Sequence, residues 1–93
     1  MKKFKGVTET GFQFVVDEEA RDDMEILENF TKLSKGDLSV VPETIAAFLG
    51  EEQKKKLYDH CRGKSGRVSS KRVLTELDNI FKSLRNMESD TKN

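Results

Sequence analysis

This sequence has few of the residue types that most often carry protein chemistry. It contains one cysteine, one histidine (His60) and one proline, and it has no tryptophan. A single cysteine excludes an intramolecular disulfide, and one cysteine with one histidine gives too few ligands for a zinc site. No apolar run approaches the length of about 18 residues that a transmembrane helix needs, and no apolar segment follows the basic first residues as it does in a signal peptide. We therefore expect a soluble protein of a reducing compartment, with no membrane association, no cofactor and no metal.

Net charge is also absent, because 17 lysines and arginines balance 17 aspartates and glutamates among the 93 residues. Whole-molecule electrostatics thus favours neither nucleic acid nor an anionic membrane as a partner. The balance hides two oppositely charged segments. Residues 17–28 carry seven acids against Arg21, and residues 54–72 carry eight bases against Asp59. Two interpretations stay open: the segments neutralise each other within one molecule, or they dock head to tail between copies.

The apolar residues, 34% of the chain, fall in periodic patterns that predict an α+β domain with mostly helical content. Phe12, Phe14 and Val16 alternate with other residues, which indicates a β-hairpin over residues 3–16. Apolar residues then recur at three- and four-residue spacing, as on one face of a helix. Four helices are predicted, over residues 18–35, 42–49, 51–62 and 70–87. We expect a single small domain over residues 1–87 and a polar, disordered tail over residues 88–93.

Capping and breaking residues set these predicted bounds. Asp17 suits the N-cap of the first helix. Pro42 suits the first turn of the second helix, and Gly50 should end it. Ser69 or Ser70 is expected to cap the last helix.

Three groups of residues could carry catalysis or ligand binding, and each group lacks a feature that its chemistry requires. Residues 63–65, Gly-Lys-Ser, match the end of a phosphate-binding loop, but that loop needs a glycine where Tyr58 stands and a strand before it. His60 and Cys61 are neighbours on a predicted helix and point about 100° apart, so they do not form a nucleophile–base pair. The carboxylates of residues 17–23 lack the glycine turn and the alternating ligands of a calcium loop. No catalytic site is predicted.

The basic segment leaves DNA binding open as an alternative function. Two helices joined by a glycine-containing turn resemble a helix-turn-helix, and a reading helix presents Arg or Lys early in its sequence. Against this, the strongly acidic first helix would repel phosphates, so nucleic acid is not the partner we expect. The alternative is a small helix-turn-helix-like DNA-binding regulator that uses residues 62–72. The candidate partner-binding bases are Arg62, Lys64, Arg67, Lys71 and Arg72.

The last predicted helix carries a broad apolar stripe. Val73, Leu77, Ile80, Leu84 and Met87 step by four, three, four and three residues, as in a heptad seam. The stripe is the expected core face of this helix. With Leu74 and Phe81 beside it, however, the stripe is wide enough to leave an exposed remainder for a partner or for self-association. The candidate contacts are Leu74, Phe81, Leu84 and Met87, and the candidate acidic docking face is Glu18, Asp22 and Glu25.

Three stretches of the chain together resemble a known family. They are GFQFVVDEEA (residues 11–20) with DDME (residues 22–25), FLGEEQKKKL (residues 48–57), and GRV (residues 66–68). They resemble small proteins encoded by phages and prophages of low-GC Gram-positive bacteria, ahead of the tape-measure gene. Such proteins are taken to be tail assembly chaperones. The similarity runs over residues 4–85.

The resemblance implies a function in phage tail assembly. The protein would bind the tape-measure protein, a long helical and aggregation-prone chain, and would recruit tail-tube subunits. It would act in the host bacterial cytoplasm and be absent from the mature virion. Members of this group are often made in a short and a frameshifted long form, and this sequence would be the short form.

Overall fold

A computed structural model describes the backbone of residues 2–90 and the side chains of residues 2–84. A two-stranded antiparallel hairpin precedes four helices, which confirms the predicted α+β, mostly helical fold. The elements are β1 (Lys3–Val7), β2 (Gln13–Asp17), α1 (Glu18–Arg21), α2 (Met24–Ser34), a 3₁₀ turn (Leu38–Val40), α3 (Val41–His60) and α4 (Ser70–Asp90).

The hairpin closes through a turn that requires its glycine. The Gly11 N–H donates to the Thr8 carbonyl over 3.0 Å, and the Thr8 N–H donates to the Phe12 carbonyl over 2.9 Å. Gly11 has a φ of 95°, so this is a three-residue loop in which the last residue is left-handed. In the ladder Gly6 lies opposite Phe14, and a Cβ added at Gly6 would lie 2.5 Å from the tip of that ring. The missing side chain therefore makes room for a buried phenylalanine.

A glutamine side chain pairs with the outer edge of β2. Gln53 accepts a hydrogen bond from the Val15 N–H over 2.8 Å and donates to the Val15 carbonyl over 2.7 Å. Its amide thus replaces the neighbouring strand that a two-stranded sheet lacks. The same nitrogen also donates to the Leu49 carbonyl over 2.7 Å. Gln53 therefore fastens the hairpin to α3.

The helix predicted over residues 18–35 is two helices in the structure. α1 ends at Arg21, and α2 begins at Met24. The cause is Asp23, whose carboxylate accepts hydrogen bonds from the Glu25 and Ile26 N–H groups over 2.8 and 3.3 Å. Asp23 is therefore the N-cap of a new helix, in the middle of what the periodicity predicted as one continuous element.

The helices predicted over residues 42–49 and 51–62 follow each other without a loop. Pro42 lies in the first turn of α3, as predicted, and the chain stays helical on both sides of Gly50. Gly50 itself has φ 86° and ψ 160°, a backbone conformation open essentially to glycine alone. The prediction of a break at Gly50 is confirmed, and the second segment ends at His60 rather than at residue 62.

The last helix begins as predicted. The Ser69 hydroxyl accepts a hydrogen bond from the Arg72 N–H over 3.2 Å, so Ser69 caps α4. The helix continues to Asp90, past the predicted end at residue 87 and into the segment predicted as a tail. Residues 91–93 of that tail lie outside the described residues.

The strand β2 and the helices α2, α3 and α4 all contribute to one apolar core. β2 and the residue before it supply Phe12, Phe14 and Val16, and α2 supplies Ile26. The remaining buried members come from α3 and the residue after it, and from α4: Ile45, Phe48, Leu49, Leu57, Cys61, Val73, Leu77, Ile80 and Leu84. The heptad seam of α4 is therefore core as far as its side chains are described.

Candidate partner-binding furrow

An apolar furrow of about 710 Å³ lies between α2, the 3₁₀ turn and α4. Leucine and phenylalanine dominate its walls. The lining residues are Arg21, Leu27, Phe30, Leu33, Ser34, Leu38, Phe48, Leu74, Leu77, Asp78, Phe81 and Leu84. The furrow is the main candidate site on the described surface, because it offers a partner a long apolar face.

Three phenylalanines form the floor of the furrow and join its walls. The ring centroids of Phe30 and Phe81 lie 4.0 Å apart, and each lies 5.6 Å from the centroid of Phe48. The two contacts to Phe48 are edge-on, the arrangement that aromatic quadrupoles favour. Phe48 is buried, whereas Phe30 and Phe81 are half-buried and still face the furrow. The floor is thus aromatic and apolar.

The lips of the furrow are leucines that nothing in the described chain covers. Leu27 is 54% exposed and Leu38 is 56% exposed, and Met24, one helical turn before Leu27, is 68% exposed. Met24, Leu27 and Leu33 lie within the helix predicted over residues 18–35, and Leu38 lies between that helix and the next predicted one. Sequence reasoning therefore missed these residues as site residues.

A second depression, of about 310 Å³, continues the furrow past Leu38 and Leu74, which line both. It reaches Val68 and Ser70 at the start of α4. From Ser70 to Leu84 the two depressions follow α4 for fourteen residues, which at 1.5 Å per residue is about 21 Å. Together the two depressions form a mainly apolar track along four helical turns of α4, with Leu38 and Leu74 between them.

The track runs between two oppositely charged ends. Phe30 contacts Phe81, and Leu38, later in the chain, lies beside Leu74, which comes earlier in α4. The wall formed by α2 and the 3₁₀ turn is therefore antiparallel to α4. The acidic segment 17–28 then lies toward the second half of α4, while bases of the segment 54–72 lie at the first turn of α4.

The two charged segments do not pair with each other. The ion pairs among the described side chains are Lys3–Asp17, Lys54–Glu51, Arg62–Asp59 and Lys82–Asp78. None of them joins a carboxylate of residues 17–28 to a base of residues 54–72. Direct ion pairing among the described side chains therefore gives no support to neutralisation within one molecule.

The five predicted basic residues lie together around the start of α4, on residues 61–69 and the first helical turn. All five are exposed. Arg62 is engaged within the loop, because its guanidinium donates to Asp59 over 2.9 Å and to the Gly66 carbonyl over 2.7 Å. The connection is longer than the turn of about three or four residues in a helix-turn-helix, and Arg62 and Val68 form a small bridge across it. This geometry does not favour the DNA-binding alternative.

The other predicted contacts separate into two groups. Leu74, Phe81 and Leu84 do line the furrow, with Leu84 buried in its floor, whereas the side chain of Met87 lies outside the described residues. Glu18, Asp22 and Glu25 are exposed on α1, at its end and on α2. These acids line no part of the furrow and lie near its acidic end.

A buried carboxylate ties the hairpin turn to α4, and sequence reasoning missed it. Glu76 is 2% exposed, and it accepts hydrogen bonds from the Thr8 hydroxyl over 2.7 Å and the Thr10 hydroxyl over 2.6 Å. The Thr10 oxygen also lies 2.9 Å from His60 Nε2. Because the single hydroxyl proton of Thr10 points to Glu76, His60 must donate the proton of that second bond. The available signal was the position of Glu76 between Val73 and Ile80 on the core face of α4.

The sulfur of Cys61 is buried beside this cluster. Burial raises the pKa of the Cys61 thiol, the negative charge of Glu76 raises it further, and Arg72 partly opposes both. His60 is exposed and engaged with Thr10. The neighbours that suggested a Cys–His pair thus occupy different environments, and the thiol is held in its neutral form.

No helix among the described residues is long and apolar enough to cross a membrane, and no three His, Cys, Asp or Glu side chains among them are grouped to hold a metal ion. Comparison of the chain with protein-family models, with curated proteins and with solved structures found no match.

Proposed function

We propose that this chain is a non-catalytic protein-interaction domain that acts as a phage tail assembly chaperone. It binds the tape-measure protein in the host bacterial cytoplasm, assists assembly of the tail tube and is absent from the mature virion. The class of client follows from the family resemblance of residues 11–20, 22–25, 48–57 and 66–68. The binding surface follows from the apolar furrow, and this observation supports the proposal most directly.

A chaperone of this kind must cover apolar surface on its client before the client assembles. The furrow supplies apolar walls, and its lips, Leu27 and Leu38, are each more than half exposed. Burying such leucines against a partner gains roughly 25 cal/mol for each Å² of apolar surface removed from water. The furrow can therefore shield part of a client's apolar face.

The test is co-expression of the chain with a fragment of the tape-measure protein, which the resemblance places in a very long reading frame directly downstream. The Leu27→Ser, Leu38→Ser double variant should lose co-purification with the fragment. It should keep a melting temperature near that of the parent, because both side chains are already largely exposed.

The matched control is Val7→Ser. Val7 is 59% exposed, comparable to the two leucines, but it lies on β1 and does not line the furrow. This variant should retain the client. Equal retention by the furrow variant and the control would refute the furrow as the client site, and salt-sensitive binding of mixed duplex DNA without client binding would favour the DNA-binding alternative.

A further inference from the structure

We infer that the outer edge of β1 is a second binding surface, which takes an extended acidic peptide segment as a third strand of the sheet. The segment runs antiparallel to β1, with acidic residues at alternate positions opposite Lys3 and Lys5. This inference goes beyond the proposed function, because no residue of β1 lines either depression of the apolar track. It concerns a different surface and a different partner.

The hydrogen-bond register of the hairpin shows which backbone groups of β1 point outward. The Lys2 carbonyl and the Thr8 N–H each form a hydrogen bond of 2.9 Å with one of the residues that flank β2. Hydrogen-bonded and non-hydrogen-bonded pairs alternate along an antiparallel ladder, so the even-numbered residues of β1 are the ones bonded to β2. The odd-numbered residues direct their N–H and C=O groups away from β2, and these residues are Lys3, Lys5 and Val7.

The two outer edges of the sheet differ in how such outward groups are satisfied. Lys5 lies opposite Val15 in the ladder, and the outward N–H and C=O of Val15 are bonded to the Gln53 side chain. The corresponding groups of Lys3, Lys5 and Val7 form no hydrogen bond with any other described residue. The edge of β2 is therefore closed by a side chain, whereas the edge of β1 is open to the backbone of a third strand.

The exposed side chains of β1 define the chemistry of that third strand. Lys3, Lys5 and Val7 are all exposed and alternate with half-buried residues, so they share the outer face of the sheet. Lys3 lies 4.0 Å from Asp17, which offsets part of its charge, whereas the ion pairs among the described side chains include none with Lys5. Opposite charges in directly facing positions of neighbouring strands attract each other. Acidic residues opposite the two lysines and an apolar residue opposite Val7 therefore complement this edge.

A second copy of β1 complements the edge poorly. An antiparallel pairing that uses the whole strand places the Lys5 side chains of the two copies opposite each other, and like charges in facing positions are destabilising. Lysines on an edge strand are a common means of preventing such pairing between copies. The same lysines favour an acidic strand, so the occupant is an acidic segment of a different protein.

The test uses the full chain, labelled with nitrogen-15 for NMR, and two capped peptides of about nine residues. The first peptide contains Val-Thr-Glu-Thr-Glu, which in the antiparallel arrangement places its valine opposite Val7 and its glutamates opposite Lys5 and Lys3. The second peptide has lysines in place of the glutamates. The glutamate peptide should shift the amide signals of the three outward residues most, and it should bind about five- to twentyfold more tightly, because two facing charge pairs change sign.

Methylated forms of the glutamate peptide distinguish strand pairing from charge attraction alone, and they leave the protein unaltered. In the expected arrangement the N–H groups of the glutamates point toward β1, and those of the threonines point away. N-methylation of the glutamates should therefore weaken binding at least about tenfold, because it removes hydrogen bonds and crowds the edge. N-methylation of the threonines is the matched control and should change the affinity by less than about twofold.

Three substitutions in the protein locate the peptide on this edge. Lys5→Pro removes an outward N–H and a charge without removing a hydrogen bond between β1 and β2, so the hairpin should stay intact while binding is lost. Lys5→Ala keeps the N–H and should weaken binding of the glutamate peptide only about two- to fivefold. Lys55→Ala removes an exposed lysine from α3 and should leave binding unchanged.

Each outcome decides the inference. An equal effect of the two methylations would overturn strand pairing, and equal affinity of the glutamate and lysine peptides would overturn the acidic occupant. No binding of the glutamate peptide would overturn the site itself. A dimer of the chain that Lys5→Pro disperses would replace the acidic segment by a second copy. Retention of the tape-measure fragment by the furrow is measured separately, so the proposed function stands or falls on its own test.

Discussion

At the scale of single residues, the hydrogen bonds around Glu76 do most to join distant parts of the chain. The carboxylate is buried, and both of its oxygens accept hydroxyl protons from the hairpin turn. A buried charge that keeps its partners is tolerated, whereas one that loses a partner bears the cost of desolvation. The hairpin turn and α4 therefore depend on each other.

The substitution Thr8→Val tests this dependence, because it keeps the shape of the side chain and removes the hydroxyl. We expect the free energy of unfolding to fall by about 1.5–3 kcal/mol, as is usual for a hydrogen bond to a charged group. Thr75→Val is the matched control, since the Thr75 hydroxyl donates to the Lys71 carbonyl on the exposed side of the same helix. Chemical denaturation measures both variants, and equal small losses would contradict a special role for Thr8.

Asp37 gives a residue-scale prediction on pH. Hydrogen bonds from the Ser39 hydroxyl and then from the Ser39 N–H lower the pKa of the Asp37 carboxyl, and the positive charge of Lys32 adds to them. Since the pKa is lower in the folded state, the stabilisation is fully present above the ordinary value near 3.8 and is lost as the pH falls through the lowered value. Ser39→Ala should raise the pKa of Asp37 toward the ordinary value. A carboxyl titration by NMR that shows no change would refute the assignment.

At the scale of elements, the break inside α3 depends on one glycine. Gly50 has the φ and ψ of a region that other residues enter only at a cost of about 1–3 kcal/mol. A Cβ at this position would meet nothing within 4 Å, so the cost arises from the backbone and not from a clash.

Gly50→Ala should therefore destabilise the protein by about 1–3 kcal/mol. Gly63→Ala is the control, because Gly63 does not have a positive φ and an added Cβ would lie 3.8 Å from the Arg67 carbonyl oxygen, an ordinary contact. Thermal unfolding followed by circular dichroism compares the two. A Gly50→Ala variant as stable as the control would mean that α3 can pass through this point without a break.

Residues that cap or break helices made many of the helix bounds predictable from the sequence. Pro42, Gly50 and Ser69 each act through neighbouring backbone groups. The sequence placed Pro42 and Gly50 correctly, and it left the cap of the last helix open between Ser69 and Ser70. The sequence did not predict Asp23 as an N-cap, because Asp23 lies in a run of acidic residues among regularly spaced apolar residues. Only the backbone geometry shows which aspartate caps a helix.

The candidate site was less predictable, because it depends on contacts between distant residues. The burial of Glu76 depends on Thr8, 68 residues away. Leu27 and Leu38 are apolar residues like those of the core, and the packing of α2 against α4 decides that they stay uncovered. The sequence predicted Leu74, Phe81 and Leu84 as contacts, and it could not predict the opposite wall.

At the scale of the whole molecule, zero net charge coexists with two charged ends. No ion pair joins the acidic segment to the basic segment among the described side chains, so the two segments remain separate regions of opposite charge. Head-to-tail attraction between copies remains a prediction of this arrangement.

Light scattering across a salt series measures this attraction. We expect net attraction between molecules in 0.01 M salt, where charges act over about 30 Å, and its loss in 0.15 M salt, where they act over about 8 Å. The double variant Glu25→Lys, Lys64→Glu keeps the net charge and lowers the charge of both segments, so it should reduce the attraction. Attraction that is independent of salt would count against docking by the charged ends.

The bond between Thr8 and Glu76 also has a consequence for synthesis on the ribosome. Glu76 is added 68 residues after Thr8, which at about 5–20 residues per second is a delay of roughly 3–14 s. During that interval the nascent hairpin has no carboxylate to receive its threonine hydroxyls, and Phe12, Phe14 and Val16 lack the core contacts that α4 later supplies. The hairpin is translated first, but it gains its contacts with α4 only after α4 has been translated.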